Sequence, residues 1–101
     1  MNSIISASDL KDVKTGVLYF YANWTPFNRR MVNIINKVES EQLVSFTSID
    51  VDSFPSLVRV YGIESVPELV LLKNSKEIGR AGGLMLISAL RRLIREKFDI
   101  K

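Results

Sequence analysis

Apolar and polar residues alternate in blocks along this chain, and the spacing within each block predicts a strand or a helix. Residues 16–22, GVLYFYA, form a continuous apolar run, which is typical of a central strand covered on both faces. Further strands are predicted within LVSFTSIDVD (43–52) and at ELVLL (68–72). The next residues, KNSK, form a turn into a short edge strand, EIGR, so the last two strands should pair as a hairpin.

Helices are predicted between and after these strands. Ser6 or Ser8 caps a short helix through DLKDV, and Pro55 opens another short helix that Gly62 closes. Two longer segments have apolar residues at helical spacing, which predicts one buried stripe on each helix. The stripe that follows Pro26 consists of Phe27, Met31, Ile34, Ile35 and Val38, and the last stripe of Ile87, Leu90, Ile94 and Phe98, opposite Arg91, Arg92 and Arg95.

The predicted order of elements is α, β, α, β, α, β, β, α, and a further small strand at 3–6 is left open. Alternation followed by a hairpin predicts an α/β fold with a mixed sheet of four or five strands and helices on both faces. Residues 81–83, AGG, should break the chain before the last helix. A length of 101 residues with 47% apolar composition predicts a single domain, residues 1–101.

Composition then narrows the chemistry. The chain contains no cysteine and no histidine, which excludes disulfide exchange, thiolate nucleophiles, imidazole bases and ordinary zinc sites. A net charge of +3 is mild, and the basic cluster RRLIREK is interpreted as a solvated helix face, so nucleic acid is not expected as a partner. No apolar run approaches about 20 residues and no leader pattern is present, which predicts a soluble cytoplasmic protein without a membrane span. No cofactor is expected.

Four segments carry a resemblance to a known family: VLYFYANW running into TPFN, IDVDSFPSLVRVYGI, VPELVLLKN, and the glycines before the last helix. In this order and spacing they resemble the thioredoxin family over nearly the whole chain. The resemblance implies a thioredoxin-like three-layer α/β/α sandwich. In that family an aromatic-rich strand runs into W-C-G-P-C at a helix N-terminus, beside a proline in cis. Trp24 and Val66–Pro67 match these positions, so the Val66–Pro67 bond is expected to be cis.

The chemistry of the family does not carry over. Thr25 and Asn28 occupy the positions of the two cysteines, and Tyr19 and Ser48 those of a buried carboxylate and a lysine that assist proton transfer. A threonine hydroxyl has no accessible anion near neutral pH and forms no disulfide. Thr25 is instead expected to cap the following helix, with Pro26 at its first position and the threonine oxygen accepting a backbone N–H.

What remains of the family pattern is a recognition surface. Trp24, Val66, Pro67 and Gly83 match the positions over which the family lays its substrate, with the residue before the proline pairing like a strand. Pro26 and Phe27 adjoin this surface. Two interpretations stay open for Phe27, which either folds beneath the helix or enlarges an exposed apolar patch. Trp24 likewise either packs on its own strand or faces a partner.

The sequence therefore predicts a redox-inactive thioredoxin-like protein, not an enzyme, that binds a protein or peptide non-covalently as an adaptor or accessory subunit. Two alternatives remain. One is a glutathione-binding enzyme in which Thr25 activates the thiol of the peptide. The other is a structural subunit of a larger assembly that makes contact through the basic C-terminal helix.

Overall fold

The computed structural model describes residues 1–4 and 6–101, and a mixed sheet runs through its centre. The strands are β1 (Asn2–Ser3), β2 (Gly16–Tyr21), β3 (Phe46–Asp50), β4 (Glu68–Lys73) and β5 (Lys76–Gly82). Their order across the sheet is β1-β3-β2-β4-β5. Strand β3 pairs in parallel with β1 and β2, whereas β4 is antiparallel to both β2 and β5. The predicted mixed sheet with a final hairpin is confirmed.

Helices cover both faces of this sheet. They are a 3₁₀ helix (Ala7–Asp12), α1 (Asn28–Glu39), α2 (Pro55–Tyr61) and α3 (Ile87–Lys97). One apolar cluster joins the sheet to α1 and α3, and the other joins it to α2 and the 3₁₀ helix. The fold is thus the three-layer α/β/α sandwich that the sequence predicts. No helix in the part of the chain that the structure describes is long and apolar enough to cross a bilayer.

Strand β2 explains why both clusters form. Side chains alternate along a strand, so Val17 and Tyr19 enter the cluster of α1 and α3, while Leu18 and Phe20 enter the cluster of α2. All four are buried. A strand buried on both faces needs apolar residues at every position, which is the pattern of residues 16–22.

Several element ends agree with the sequence. Pro55 is at the start of α2, and Gly62 ends it with φ +62°, a left-handed conformation that glycine adopts without strain. Ser6 precedes the 3₁₀ helix, and its backbone N–H donates to Asp9 Oδ2 at 3.0 Å. The hairpin between β4 and β5 turns through Asn74 and Ser75, both with positive φ, as in a two-residue type I′ turn.

Other boundaries were predicted wrongly. The strand expected within 43–52 starts only at Phe46, because Leu43 and Val44 pack against the core from a turn. The edge strand continues to Gly82, so the chain breaks at Gly83 and not throughout 81–83. A Cβ at Gly82 would come within 2.6 Å of Glu68 Oε2, so a larger residue here would require the Glu68 side chain to move. Of the strand left open at 3–6, the structure has Asn2–Ser3, and residue 5 lies outside the described residues.

Candidate functional site

The turn between β2 and α1 contains the two positions at which the family has its cysteines. Thr25 does not cap the helix, which is where the prediction was wrong: α1 begins at Asn28, and Phe27 precedes it. The Thr25 hydroxyl donates backwards to the carbonyl of Ala22 at 2.9 Å, and the Thr25 backbone N–H donates to the same carbonyl at 3.2 Å. The chain turns once more between Thr25 and Asn28 before the helix starts, so the threonine closes the strand end.

The Asn28 side chain is hydrogen-bonded to Tyr19 on the central strand β2. The Tyr19 hydroxyl donates to Asn28 Oδ1 at 2.7 Å. Tyr19 is buried and its ring stacks on Tyr21, with ring centroids 5.5 Å apart. Burial, and to a smaller extent the nearby Tyr21, raises the pKa of Tyr19 to about 12, so its hydroxyl keeps its proton near neutral pH. Tyr19 and Asn28, two of the four residues that depart from the family pattern, are thus hydrogen-bonded to each other.

Ser48, the fourth departure, has a different role. Its hydroxyl lies 3.1 Å from Ser3 Oγ and donates to the carbonyl of Asn2 at 3.3 Å. It therefore ties β3 to the edge strand β1, and no hydrogen bond to the Thr25–Asn28 turn is described for it. A serine in this position has no charge with which to move a proton toward the turn.

Trp24 lies on the surface and is held in place by an acidic side chain. Its side chain is 71% exposed, and its indole N–H donates to Asp52 Oδ2 at 3.0 Å. The Asp52 backbone N–H donates to Asp50 Oδ1 at 2.9 Å, and Asn23 Nδ2 donates to Asp50 Oδ2 at 3.4 Å. The Trp24 ring is therefore not packed on its own strand. It is exposed to solvent, and its N–H edge is fixed by the hydrogen bond to Asp52.

A cavity of about 420 Å³ opens beside Trp24 and is mostly apolar. That volume falls in the range of ligand pockets in general. Its apolar lining is Trp24, Val51, Val58, Ile63 and Val66, and its polar lining is Thr25, Glu64 and Ser65. Side chains from three separate parts of the chain thus converge here: the turn after β2, the segment after β3 with α2, and the residues before Pro67.

Residues 64–66 form one wall of this cavity. This segment follows the left-handed Gly62 and precedes Pro67, whose bond to Val66 is cis, as expected. Within the part of the chain that the structure describes, none of its N–H or C=O groups makes a backbone hydrogen bond. Glu64 and Ser65 are exposed and Val66 is half-buried. This stretch therefore presents backbone donors and acceptors to solvent.

Both ends of this segment are fixed by hydrogen bonds. Before it, Arg80 on β5 donates to the carbonyl of Tyr61 at 2.6 Å and to that of Gly62 at 3.4 Å. After it, the Gly83 backbone N–H donates to the carbonyl of Pro67 at 2.9 Å. The backbone of the segment is thus presented from fixed positions, which lowers the entropy that a partner's binding would cost.

The structure separates the residues that the sequence grouped as one surface. Trp24, Thr25 and Val66 line the cavity, whereas Pro26, Phe27 and Gly83 are exposed but do not line it. The Phe27 side chain is 46% exposed and does not join the buried stripe of α1. Pro67 is buried.

The sequence interpretation missed residues on the other side of the cavity, namely Val51, Val58, Ile63, Glu64 and Ser65. A partial signal was present in IDVD and GIESV, which are the irregular ends of a strand and a helix and therefore candidates for surface loops. Asp52 was likewise not connected to Trp24, because the two residues are 28 positions apart.

Comparison with known proteins gives the family. The family model described as Thioredoxin matches residues 6–96. The thioredoxin of Chlamydia caviae is 29% identical over 100 residues, which cover 95% of this chain and 98% of that protein. The chloroplastic Thioredoxin Y2 of Arabidopsis thaliana is 31% identical over 84 residues, which cover 81% of this chain but only 50% of that protein.

Solved structures agree on the fold. The X-ray structure of Fasciola hepatica thioredoxin superposes with a TM-score of 0.86 at 25% identity, covering 96% of this chain and 99% of that one. A mutant thioredoxin from Halobacterium salinarum also gives a TM-score of 0.86, at 23% identity, over 95% of this chain and 88% of that one. Together with the family model, these similarities and the cis bond before Pro67 show that this cysteine-free chain belongs to the thioredoxin family.

Proposed function

We propose that this chain is a redox-inactive member of its family that binds a protein or peptide segment without forming a covalent bond. The observation that carries the proposal is the backbone of residues 64–66, which has no backbone partner among the described residues and lies on the wall of an apolar cavity. An extended peptide that pairs with this backbone gains main-chain hydrogen bonds and places a side chain in the cavity. Such a protein acts as an adaptor or as an accessory subunit of a larger complex.

The absence of redox activity follows from the groups in the turn. Thiol–disulfide exchange needs a thiolate to attack and a second sulfur to resolve the mixed disulfide. Here Thr25 donates to a backbone carbonyl and Asn28 accepts from a protonated Tyr19. Neither the Thr25 hydroxyl nor the Asn28 amide can act as a nucleophile toward a substrate's disulfide near neutral pH.

The two alternatives fit the structure less well. A hydroxyl that activates bound glutathione donates its hydrogen bond to the thiolate, whereas the Thr25 hydroxyl donates to Ala22. On the basic terminal helix, Arg91 forms a bidentate ion pair with Glu41, in which Nε donates to Oε1 at 2.9 Å and Nη2 donates to Oε2 at 2.6 Å. Part of the charge on that helix is therefore already neutralised within the chain. Among the described residues, the backbone wall of the Trp24 cavity has no comparable internal partner.

The proposal is tested by selecting random displayed peptides on the purified protein and measuring the affinity of a selected peptide. Trp24 is the only tryptophan, so a peptide that enters the cavity should change its fluorescence in a saturable manner. The variant Trp24→Ala, measured by calorimetry, should bind at least about tenfold more weakly because an exposed aromatic contact is lost.

Val60→Ala is the matched control for this experiment. Val60 is 75% exposed on α2 but does not line the cavity, so the variant removes a similar exposed apolar group from a neighbouring element. Affinity should then stay unchanged. Selection that yields no saturable binder, or binders that Val60→Ala weakens as much as Trp24→Ala does, would refute the proposal.

A further inference from the structure

Acidic side chains lie around the Trp24 cavity. Glu64 lines the cavity on the side of segment 64–66. Asp52 accepts the hydrogen bond of the Trp24 indole N–H, and Asp50 accepts hydrogen bonds from the Asp52 backbone N–H and from Asn23. These three residues, Asp50, Asp52 and Glu64, are called the acidic rim below. Glu64 is part of the cavity lining, Asp52 touches the lining residue Trp24, and Asp50 adjoins the lining residue Val51 in sequence, so negative charge lies beside an apolar cavity although the whole chain has a net charge of +3.

The acidic rim forms no ion pair within residues 1–4 and 6–101. The ion pairs of these residues involve Glu39, Glu41, Glu68 and Glu77, and none involves a carboxylate of the acidic rim. Arg59 adjoins the lining residue Val58 in sequence, yet none of these described ion pairs joins it to the rim. The carboxylates of the acidic rim are therefore not neutralised by an ion pair among these residues.

Glu64 also acts on its neighbours through its charge. Burial raises the pKa of the Glu68 carboxyl. The positive charge of Arg80 opposes this pKa shift, whereas the negative charges of Glu77 and Glu64 add to it. Arg80, the cation near these groups, is engaged with Glu77 at 2.8 Å and with backbone carbonyls. A cation added near Glu64 would therefore relieve repulsion between carboxylates.

A metal ion does not account for the acidic rim. Among the residues that the structure describes, no group of three acidic side chains is arranged to hold a metal ion. Asp52 is already committed on one oxygen to the Trp24 indole, and both oxygens of Asp50 accept hydrogen bonds. The carboxylates of the rim do not converge on one point but lie next to apolar cavity residues, which suits a long cationic side chain better than a compact ion.

We propose that the segment bound in the Trp24 cavity carries a lysine or arginine two residues from its apolar anchor. This inference rests on the proposed function, because it assumes an extended peptide paired with residues 64–66. In such a peptide, side chains two residues apart lie on the same face, so the anchor fills the cavity while its neighbour reaches the acidic rim. Charge complementarity then selects among apolar segments that the cavity alone would accept equally.

The test repeats the selection of random displayed peptides on the wild type, on Glu64→Lys and on Glu96→Lys. Both variants change the net charge equally, but Glu96 is exposed on α3, away from the cavity lining. We expect lysine and arginine to be enriched two positions from the apolar anchor on the wild type and on Glu96→Lys, and depleted on Glu64→Lys. A peptide selected on the wild type should bind Glu64→Lys about three- to tenfold more weakly, and about 500 mM salt should weaken the wild-type complex similarly.

The outcomes separate the two proposals. Apolar peptides that bind the cavity without enriched basic residues, or with an affinity that Glu64→Lys leaves unchanged, overturn the acidic-rim inference and leave the proposed function standing. If no peptide binds saturably, both proposals fail together. Thermal melts of Glu64→Lys and Glu96→Lys should coincide with that of the wild type, so that loss of binding is not loss of the fold.

Discussion

Two segments meet beside Trp24, and they differ in how their polar groups are satisfied. In the turn Thr25–Asn28, the Thr25 hydroxyl is bonded to Ala22 and the Asn28 oxygen to Tyr19. In the segment 64–66, the backbone groups have no backbone partner within the described part of the chain. The first segment is called closed below, because its polar side chains are hydrogen-bonded within the chain. The second is called open, because its backbone groups have no backbone partner among the described residues.

This difference separates two properties that active members of the family combine in one place. At the two cysteine positions, Thr25 is hydrogen-bonded to Ala22 and Asn28 to Tyr19, while the strand, the helix and the cis bond before Pro67 are all present. The segment beside the cavity is positioned by other residues, in particular Gly62 and Arg80. Under the proposed function, recognition and reaction are therefore separate properties of one fold.

The largest expected effect concerns the closed turn. In the variant that combines Thr25→Cys with Asn28→Cys, a disulfide should form, but turnover in insulin reduction should stay at least about a hundredfold below that of an ordinary thioredoxin. Tyr19 keeps its proton near neutral pH and Ser48 is bonded to β1, so no group at these positions accepts a proton from the buried thiol. Full activity of this variant would contradict the account of these two positions.

The next prediction concerns the bond between Tyr19 and Asn28. In a double-mutant cycle with Tyr19→Phe and Asn28→Ala, urea unfolding should give a coupling free energy of about 1 to 1.5 kcal/mol. The reason is that either single change leaves a polar group of the other residue without its partner. A coupling near zero would mean that the turn is not closed by this bond.

Alkaline pH tests the burial of Tyr19 separately. Its pKa is raised to about 12 in the fold, whereas an unfolded chain loses this proton near pH 10. Above pH 10 the unfolded state therefore binds fewer protons, and the stability that Tyr19 contributes is lost as pH rises toward 12. Between about pH 9 and about pH 11, the wild type should lose roughly 1 kcal/mol more stability than Tyr19→Phe. Equal losses would contradict the burial of the hydroxyl.

The smallest expected effect is a difference in unfolding free energy between two variants, each of which loses one hydroxyl in one of the two segments. Thr25→Val removes the bond to Ala22 at nearly constant volume and should lower the free energy of unfolding by about 1 kcal/mol. Ser65→Ala removes an exposed hydroxyl with no described hydrogen bond and should change it by less than about 0.5 kcal/mol. Chemical denaturation of both variants measures the contrast, and equal effects would remove the distinction between closed and open segments.

Local patterns were sufficient to predict most of the fold. The apolar run 16–22 and the pair Pro55 and Gly62 place a buried strand and a short helix where the structure has them. Periodicity was misleading at Phe27, which occupies the N-cap position of α1 and remains 46% exposed instead of joining the buried stripe. The cap assigned to Thr25 was wrong because α1 begins three residues later, at Asn28, and Phe27 occupies the N-cap position.

The site was less predictable because its contacts are distant along the chain. Tyr19 and Asn28 were both noted as departures from the family, but spacing alone does not show that one donates to the other. The contact between Trp24 and Asp52 follows from the pairing of β2 with β3, which puts Tyr21 opposite Asp50, and the position of Ile63 in the cavity wall follows from the packing of α2 on the sheet. Such contacts depend on the three-dimensional arrangement and leave no regular period in the sequence.

Amide hydrogen exchange at Val66 tests the central claim most directly. In the free protein this N–H should exchange fast, because it has no backbone partner among the described residues, whereas the paired Leu69 should be protected. With a selected peptide bound at saturation, we predict that exchange at residues 64–66 slows by at least about tenfold while exchange at Leu69 stays unchanged. Fast exchange at Val66 in the saturated complex would contradict strand-like pairing at the Trp24 cavity.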